Sequence, residues 1–556
     1  MNNKTLPKLR SDMKDRMNLE WMANRAFFRG LGYSDEEIEK PHIGIVNTWN
    51  EMNPGHIHQR EIADAVREGI LSAGGRPFLF YGLSLCDSIG MGPYVLPSRD
   101  LLVNEIELIC EAHKLDALVL IGTCDKITPA MLMAAGRLDV PTIIVTGGYM
   151  ETGKLNGQNV DFIDIGASIS MVKEGRMSEG EFDQLLHYTC PGCGACGMMG
   201  TANTMNILSE TIGMSLPGNS TAPARSGRVI QIARAAGMRV VELWKGGIKP
   251  HQIITENSIM NAIKVCMAIG GSSNTIIHIP AVATESGIEM DCSEIYAKSS
   301  CEIPLLIGIR PNGVHTMKDF DEAGGLGALL SEMRSVLDLS TINVCGKSMG
   351  EIIKDKKVLN QDVICSLEKP HDFDGGLILC KGNLVPEGAF IKQGAVPKKL
   401  HKFRGPAKVF NNPDLAIEAL RKGQIHAGDA VLIIFQGLKG GPATAYTFTT
   451  ALKGSSLKDD VITITDGRLS GAASGACFGY ASPEAALKGP LCAVRDGDMI
   501  SYDIEKRVLN VELTESEIEK RIQETQIELP KKKGYLGIYQ KCVGSILKGG
   551  VLSGDS

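Results

Sequence analysis

The sequence predicts an α/β protein in two parts: an N-terminal parallel-sheet α/β domain, then a β-rich, barrel-like C-terminal domain. Three observations lead there. The first two thirds of the chain alternate strand-length apolar runs with helical patterns, the rhythm of βαβ units. From about residue 370, short apolar runs alternate with Gly and Pro turns, as in a barrel or sandwich. At 556 residues, the chain is also too long for one ordinary core. The expected division is 1–365 and 370–556, with the polar stretch 351–374 as the boundary.

Taken in order, residues 41–46 (PHIGIV) read as a strand and 58–73 as a helix. Residues 76–85 (RPFLFYGLSL) read as a strand, 97–113 as a helix and 117–122 as a strand. A helix over 129–137 and a strand over 141–146 follow. Further helices are expected over 203–216, 226–245 and 257–268. The β-rich part contains GGLILCKGNLVPEGAFIKQGAV, GPAKVF, GDAVLIIFQG, DVITITDG and GDMISYDIEKRVLNVEL. The tail from residue 530, basic and then Gly-rich, is expected to be loosely held.

Composition excludes several function classes. With 43% apolar and 22% charged residues, the chain is ordinary for a soluble globular protein. A net charge of −6 argues against a nucleic-acid partner, which calls for a basic excess. The longest apolar runs, near 118–122 and 142–147, are strand-length, so no membrane span is expected. The opening MNNKTLPKLRSDMKDRMN has no apolar signal region, and a cytoplasmic location is expected. Fifteen cysteines in such a chain fit a reducing compartment rather than a disulfide scaffold. The count is odd, so complete internal pairing is impossible, and most are expected as small buried residues.

Three predicted strands run into polar loops, at 47–58, 86–100 and 122–130. The carboxyl ends of parallel strands lie along one sheet edge, where ligands bind, so these loops can share a site. The second and third each contain Cys-Asp: Cys86–Asp87 and Cys124–Asp125. Thiolate is a soft ligand suited to iron–sulfur clusters, and carboxylate a hard one suited to Mg. The plain alternative for each pair is a buried cysteine followed by a helix-capping aspartate. A fourth segment, CPGCGACGMMGTANTM at 190–205, spaces three cysteines by three. With no second CxxC elsewhere and no His in the loop, a closed zinc site is disfavoured. An incompletely Cys-ligated cluster that draws thiolates from the Cys-Asp loops fits better, leaving one iron open as a Lewis acid. The fifth segment, 465–485, places Ser470 and Ser474 among glycines without an evident His partner.

Together these segments resemble the dihydroxy-acid dehydratase / phosphogluconate dehydratase family, and dihydroxy-acid dehydratase in particular. The resemblance runs through LPSRD at 96–100, GTCDKITPAMLMAAGRLDVPTIIVTGG at 122–148, PGCGACGMMGTANTMN at 191–206 and GMSLPGNS at 213–220. It continues through MAIGGSSNTIIH at 267–278, GNLVPEGAFIK at 382–392, GLKGGPA at 437–443 and TDGRLSG at 465–471. It implies removal of water from a small 2,3-dihydroxy carboxylate to give a 2-keto acid, foremost in valine and isoleucine biosynthesis. A sugar-acid (aldonate) dehydratase is the alternative within the class, and a non-catalytic or redox-sensing iron–sulfur paralogue the alternative outside it. It also implies a homodimer or homotetramer, an iron–sulfur cluster (2Fe-2S or 4Fe-4S) and Mg. By motif match, Cys124 and Cys196 are cluster ligands and Cys86 a third; Asp87 and Asp125 are Mg ligands. Lys126 matches a carbamylated lysine that also reaches Mg, and Ser470 the base that takes the C2 proton.

The chain departs from the family pattern at several points. Some branches carry a cluster cysteine in a Thr-Pro-Cys-Asn loop, where this chain has Gly55 and His56. QGLKGGPATAY sets Gln436 and Tyr446 where the family motif has two Glu, one of them an Mg ligand. The GAASG stretch after Ser470 lacks an Arg found in other versions. Cys190 and Cys193 are weaker ligand candidates than Cys196.

Overall fold

The computed structural model describes residues 7–11, 14–90, 92–173, 175–373, 376–392, 396–469 and 475–553. In its N-terminal part, β1 (His42–Asn47), β2 (Arg76–Tyr81), β3 (Ala117–Gly122) and β4 (Thr142–Thr146) form a wholly parallel sheet in the order β2-β1-β3-β4. Every residue of β1, β3 and β4 is buried, which is why these strands read as continuous apolar runs. The crossovers are the helices Gln59–Ser72, Pro97–His113 and Ile127–Leu138. Two boundaries differ usefully from the sequence reading. The second strand stops at Tyr81, which frees 82–85 for the loop that carries Cys86. The helix expected over 203–216 spans Thr201–Ile212 and stops where Gly213 adopts φ 106°.

The helix Gly227–Gly246 lies against Gln59–Ser72 at backbone contact. A Cβ on Gly69 would stand 2.0 Å from the Arg234 carbonyl oxygen, and one on Gly237 would stand 2.1 Å from that of Val66. Only glycine permits this approach. A short antiparallel hairpin, β5 (Gly153–Leu155) and β6 (Gln158–Val160), precedes the helix Phe162–Lys173.

The second part is an eight-stranded sheet of β7 (Leu377–Cys380), β8 (Gly388–Lys392), β9 (Lys402–Phe410), β10 (Ala430–Ile433), β11 (Ile462–Thr465), β12 (Cys477–Ser482), β13 (Met499–Asp503) and β14 (Val508–Val511). Its order is β14-β13-β9-β10-β11-β12-β8-β7, and a bridge between Lys381 and Val508 joins the last strand to the first. The expected barrel is therefore present and nearly closed. Alternation fills it: Ile378, Ile391, Leu432, Ile464, Phe478 and Leu509 share the interior core. On the other face, Leu377, Leu379, Phe390 and Tyr480 pack with the N-terminal core, while Val431 and Ile433 pack with two helices.

Those helices, Pro413–Arg421 and Tyr446–Lys453, connect β9, β10 and β11 as parallel units, and the sequence reading missed both. A signal for the first was present: the Asn412 side chain caps it, and Pro413 follows in the first turn.

The tail is not loose, contrary to expectation. The helix Gly534–Cys542 buries Tyr539, and the Tyr535 hydroxyl donates to the Pro97 carbonyl at 2.8 Å. The Arg99 guanidinium, fully buried beside Asp100, donates to the carbonyls of Gly549 at 2.8 Å and Gly550 at 3.2 Å. Gly-rich composition signals backbone freedom, but here the Gly549 and Gly550 carbonyls satisfy a buried cation. No helix among the described residues is long and apolar enough to cross a membrane.

Candidate active site

The loops after β2 and β3 open into one cavity of about 780 Å³. Cys86, Asp87, Cys124, Asp125 and Cys196 all line it. Arg468 and Leu469, from the turn after β11, complete that side. Opposite run Phe162, Ile165 and Ile169 of one helix, Ile417 of a second, and Tyr446, Thr450 and Ala451 of a third. Thus strand ends of the parallel sheet and of the parallel part of the barrel face the same space.

Lys126 is completely buried, and its Nζ donates to Asp87 Oδ2 at 2.7 Å and lies 3.7 Å from Asp125 Oδ2. Burial foremost, and then the charge of Asp87, push the Asp125 carboxyl up, against the pull of Lys126. Asp87 Oδ1 is buried with no hydrogen-bond partner.

The three cavity thiols are free of disulfides, as are all fifteen cysteines. Burial raises each of them above the usual thiol range; for Cys124 the charges of Cys196 and Cys86 add to this, and for Cys196 those of Asp125 and Cys86. Such groups hold their protons unless a cation compensates the thiolates. Among the described residues, no three His, Cys, Asp or Glu side chains are already drawn into a metal-sized group. The wall nonetheless presents three soft donors, two hard ones and an orphaned carboxylate oxygen, which suits an iron–sulfur cluster next to a divalent ion.

The loop after β1 does not line the cavity; it braces Cys124 from behind. The Cys124 backbone N–H donates to His56 Nε2 at 3.0 Å, so the ring proton sits on Nδ1, 2.8 Å from the Thr48 carbonyl. Burial holds this histidine down at about 3, so it stays neutral. The Cys124 thiol donates to Asn53 Oδ1 at 3.2 Å. At Gly55, an added Cβ would lie 2.4 Å from Cys124 Sγ. The position that holds a cysteine in other branches thus touches the Cys124 sulfur, and here it offers no donor.

Neither Cys190 nor Cys193 lines the cavity: Cys190 is exposed, and Cys193 Sγ accepts from Arg225 Nε at 3.2 Å. Gln436 is also off the wall, with its amide donating to the carbonyls of Asn411 at 3.0 Å and Ile434 at 3.1 Å. Tyr446 is on the wall, stacked against Phe162. Ser470 lies outside the described residues; the two residues before it line the cavity. Sequence reasoning missed Asp466, which is buried and accepts from the backbone N–H groups of Phe435, Gln436 and Ala485 at 3.1, 2.9 and 2.9 Å. It thereby ties the 435–443 loop to the turn that leads into Arg468. The Thr-Asp-Gly-Arg run was legible, but these partners were not.

Comparison with known proteins finds relatives along nearly the whole chain. Residues 40–352 match the family model for the dihydroxy-acid/6-phosphogluconate dehydratase N-terminal region, and residues 362–550 match its C-terminal counterpart. The chain is 45% identical over 553 residues to the dihydroxy-acid dehydratase of Caldicellulosiruptor bescii, covering 98% of this chain and 100% of that one. It is 44% identical to that of Acetivibrio thermocellus, with 98% and 100% covered. It is 42% identical to dihydroxy-acid dehydratase 1 of Methanosarcina acetivorans, with 96% and 98% covered.

Proposed function

This chain belongs to the dihydroxy-acid/6-phosphogluconate dehydratase family, and from that premise we propose that it is a hydro-lyase converting a 2,3-dihydroxy carboxylate to a 2-keto acid in valine and isoleucine biosynthesis. The observation that carries this reading is one cavity bearing both free thiols and carboxylates. Cys86, Cys124 and Cys196 hold the iron–sulfur cluster. Asp87, Asp125 and a carbamylated Lys126 hold the magnesium ion. When bound, the cluster supplies Lewis acidity at the 3-hydroxyl, and magnesium offsets charge on the carboxylate and 2-hydroxyl.

The chain's own residues do the rest. The cavity walls orient the substrate so that C2 faces the turn after β11. Ser470 takes the C2 proton; a serine hydroxyl is a weak base unless positive charge favours its alkoxide. The C3–O bond breaks, and the departing hydroxide leaves as water with the proton that Ser470 accepted. The resulting enol tautomerises to the keto acid. The apolar wall of Phe162, Ile165, Ile169 and Ile417 excludes water and suits an aliphatic substituent at C3. That wall disfavours the aldonate alternative, whose polyhydroxy chain would leave hydroxyls unpaired.

The test is anaerobic purification, analysis of iron and sulfide, and Mg-dependent turnover of 2,3-dihydroxyisovalerate against a set of aldonates with keto-acid detection. Preferential turnover of the branched acid is expected, and Ser470→Ala is expected to keep its iron and lose turnover. A fully loaded protein that dehydrates none of these acids would refute the reading.

A further inference from the structure

The cavity contains a cation to which the proposed chemistry gives no role. Arg468 is 6% exposed, and its Nε has no hydrogen-bond partner. Among the described residues, no carboxylate forms an ion pair with it. Its backbone is fixed: the Arg468 N–H donates to the Ala443 carbonyl at 3.1 Å, and Thr444 pairs with Arg468 as a β-bridge. Two other cations line the cavity, Lys173 and Arg421, but both are exposed, so water solvates them. Arg468 has little such relief. A buried guanidinium is retained when an anion completes it, and its planar fork matches a carboxylate.

The surrounding charge says which anion fits. Asp87 and Asp125 face the same space, and the magnesium ion they would hold has their charge to offset as well as the substrate's, so positive charge elsewhere on the wall favours an anionic substrate. A 2,3-dihydroxy acid has one permanent charge, its carboxylate. We propose that Arg468 is the substrate-binding residue that receives this carboxylate, and that it selects acids over neutral dihydroxy compounds. The assignment rests on the hydro-lyase reading above. It sets the C2 end of the substrate next to the turn leading to Ser470 and leaves the C3 substituent to the apolar wall.

The experiment compares wild type, Arg468→Gln and Arg468→Lys as cluster-loaded proteins, checked for iron and sulfide. Three quantities are read: KM and kcat with 2,3-dihydroxyisovalerate, binding of 2-oxoisovalerate, and binding of its primary amide. Wild type is expected to bind the acid more tightly than the amide. Arg468→Gln is expected to raise KM and weaken acid binding by about 30-fold or more, with amide binding unchanged. Arg468→Lys, which keeps the charge without the fork, is expected to fall between. Equal binding of acid and amide by wild type would overturn the proposal whether or not the variants fold. So would loss of acid and amide binding together with iron in Arg468→Gln, because that would make the guanidinium a structural counter-charge. If wild type dehydrates nothing yet still prefers acid to amide through Arg468, the function fails and the anion site stands. If turnover is normal and Arg468→Gln leaves KM unchanged, the function stands and the anion site fails.

Discussion

Gly55→Ala tests the link between the loop after β1 and the proposed cluster. The added methyl would lie 2.4 Å from Cys124 Sγ, 3.1 Å from Asn53 Oδ1 and 3.4 Å from the Gly194 carbonyl oxygen. Ordinary contact needs about 3.5–4.0 Å, so the sulfur or the loop must move by roughly 1 Å. The sulfur has nowhere easy to go, because the Cys124 backbone is tied to His56 and its thiol to Asn53. A metal–thiolate contact tolerates only about 0.2 Å, so the shift removes the ligand. Overpacking of this kind costs about 1–3 kcal/mol, which a folded protein of this size survives. The assay is iron and acid-labile sulfide per chain after anaerobic purification, together with the thermal midpoint. The expected result is metal loss comparable to Cys124→Ser with the fold retained. Gly192→Ala is the control in the cysteine-rich loop, since nothing lies within 4 Å of its added carbon. Full iron, sulfide and turnover in Gly55→Ala would refute the reasoning.

Cys196→Ser should lose iron and sulfide while Cys193→Ser keeps both, because only the first thiol lines the cavity; equal metal content in the two variants would contradict the assignment. Glu484, pushed up to about 7 by burial foremost and by Asp466 next, has an unpartnered Oε2 against Gly437. Its folded pKa lies above the unfolded one, so its contribution is fully present below the ordinary glutamate value of 4.5 and is lost as pH rises through 7. Relative to Glu484→Gln, wild type should therefore lose about 3 kcal/mol of unfolding free energy over that window; parallel denaturation curves would contradict this. Arg99→Met leaves Asp100 buried and unpaired and strands the Gly549 and Gly550 carbonyls, at a cost of about 3–5 kcal/mol. A lowered thermal midpoint with early proteolysis of the tail is expected, and an unchanged midpoint with a protected tail would count against the clamp.

Much of the architecture was legible because its causes are local. Fully buried parallel strands need unbroken apolar runs, and β1, β3 and β4 display them. Cys86–Asp87 and Cys124–Asp125 could be singled out because each sits in a polar loop shortly after a strand-like run. The helices Pro413–Arg421 and Tyr446–Lys453 were hidden among strands and turn residues, each short and buried on one side only. Their contribution to the cavity wall was therefore invisible as well. The tail misled for a different reason: the Arg99 to Gly549 contact spans 450 positions, and no window of sequence contains both ends.

The sequence by itself determined the parallel sheet, the barrel-like second part, the two Cys-Asp pairs and the family, because periodicity, residue chemistry and motif spacing are written along the chain. Tertiary structure alone decided that Gly55 abuts the Cys124 sulfur, and that Arg468 is buried with its Nε unpartnered and, among the described residues, no carboxylate in an ion pair with it. Those facts concern direction, distance and desolvation, which exist only once segments far apart in the chain have packed against one another.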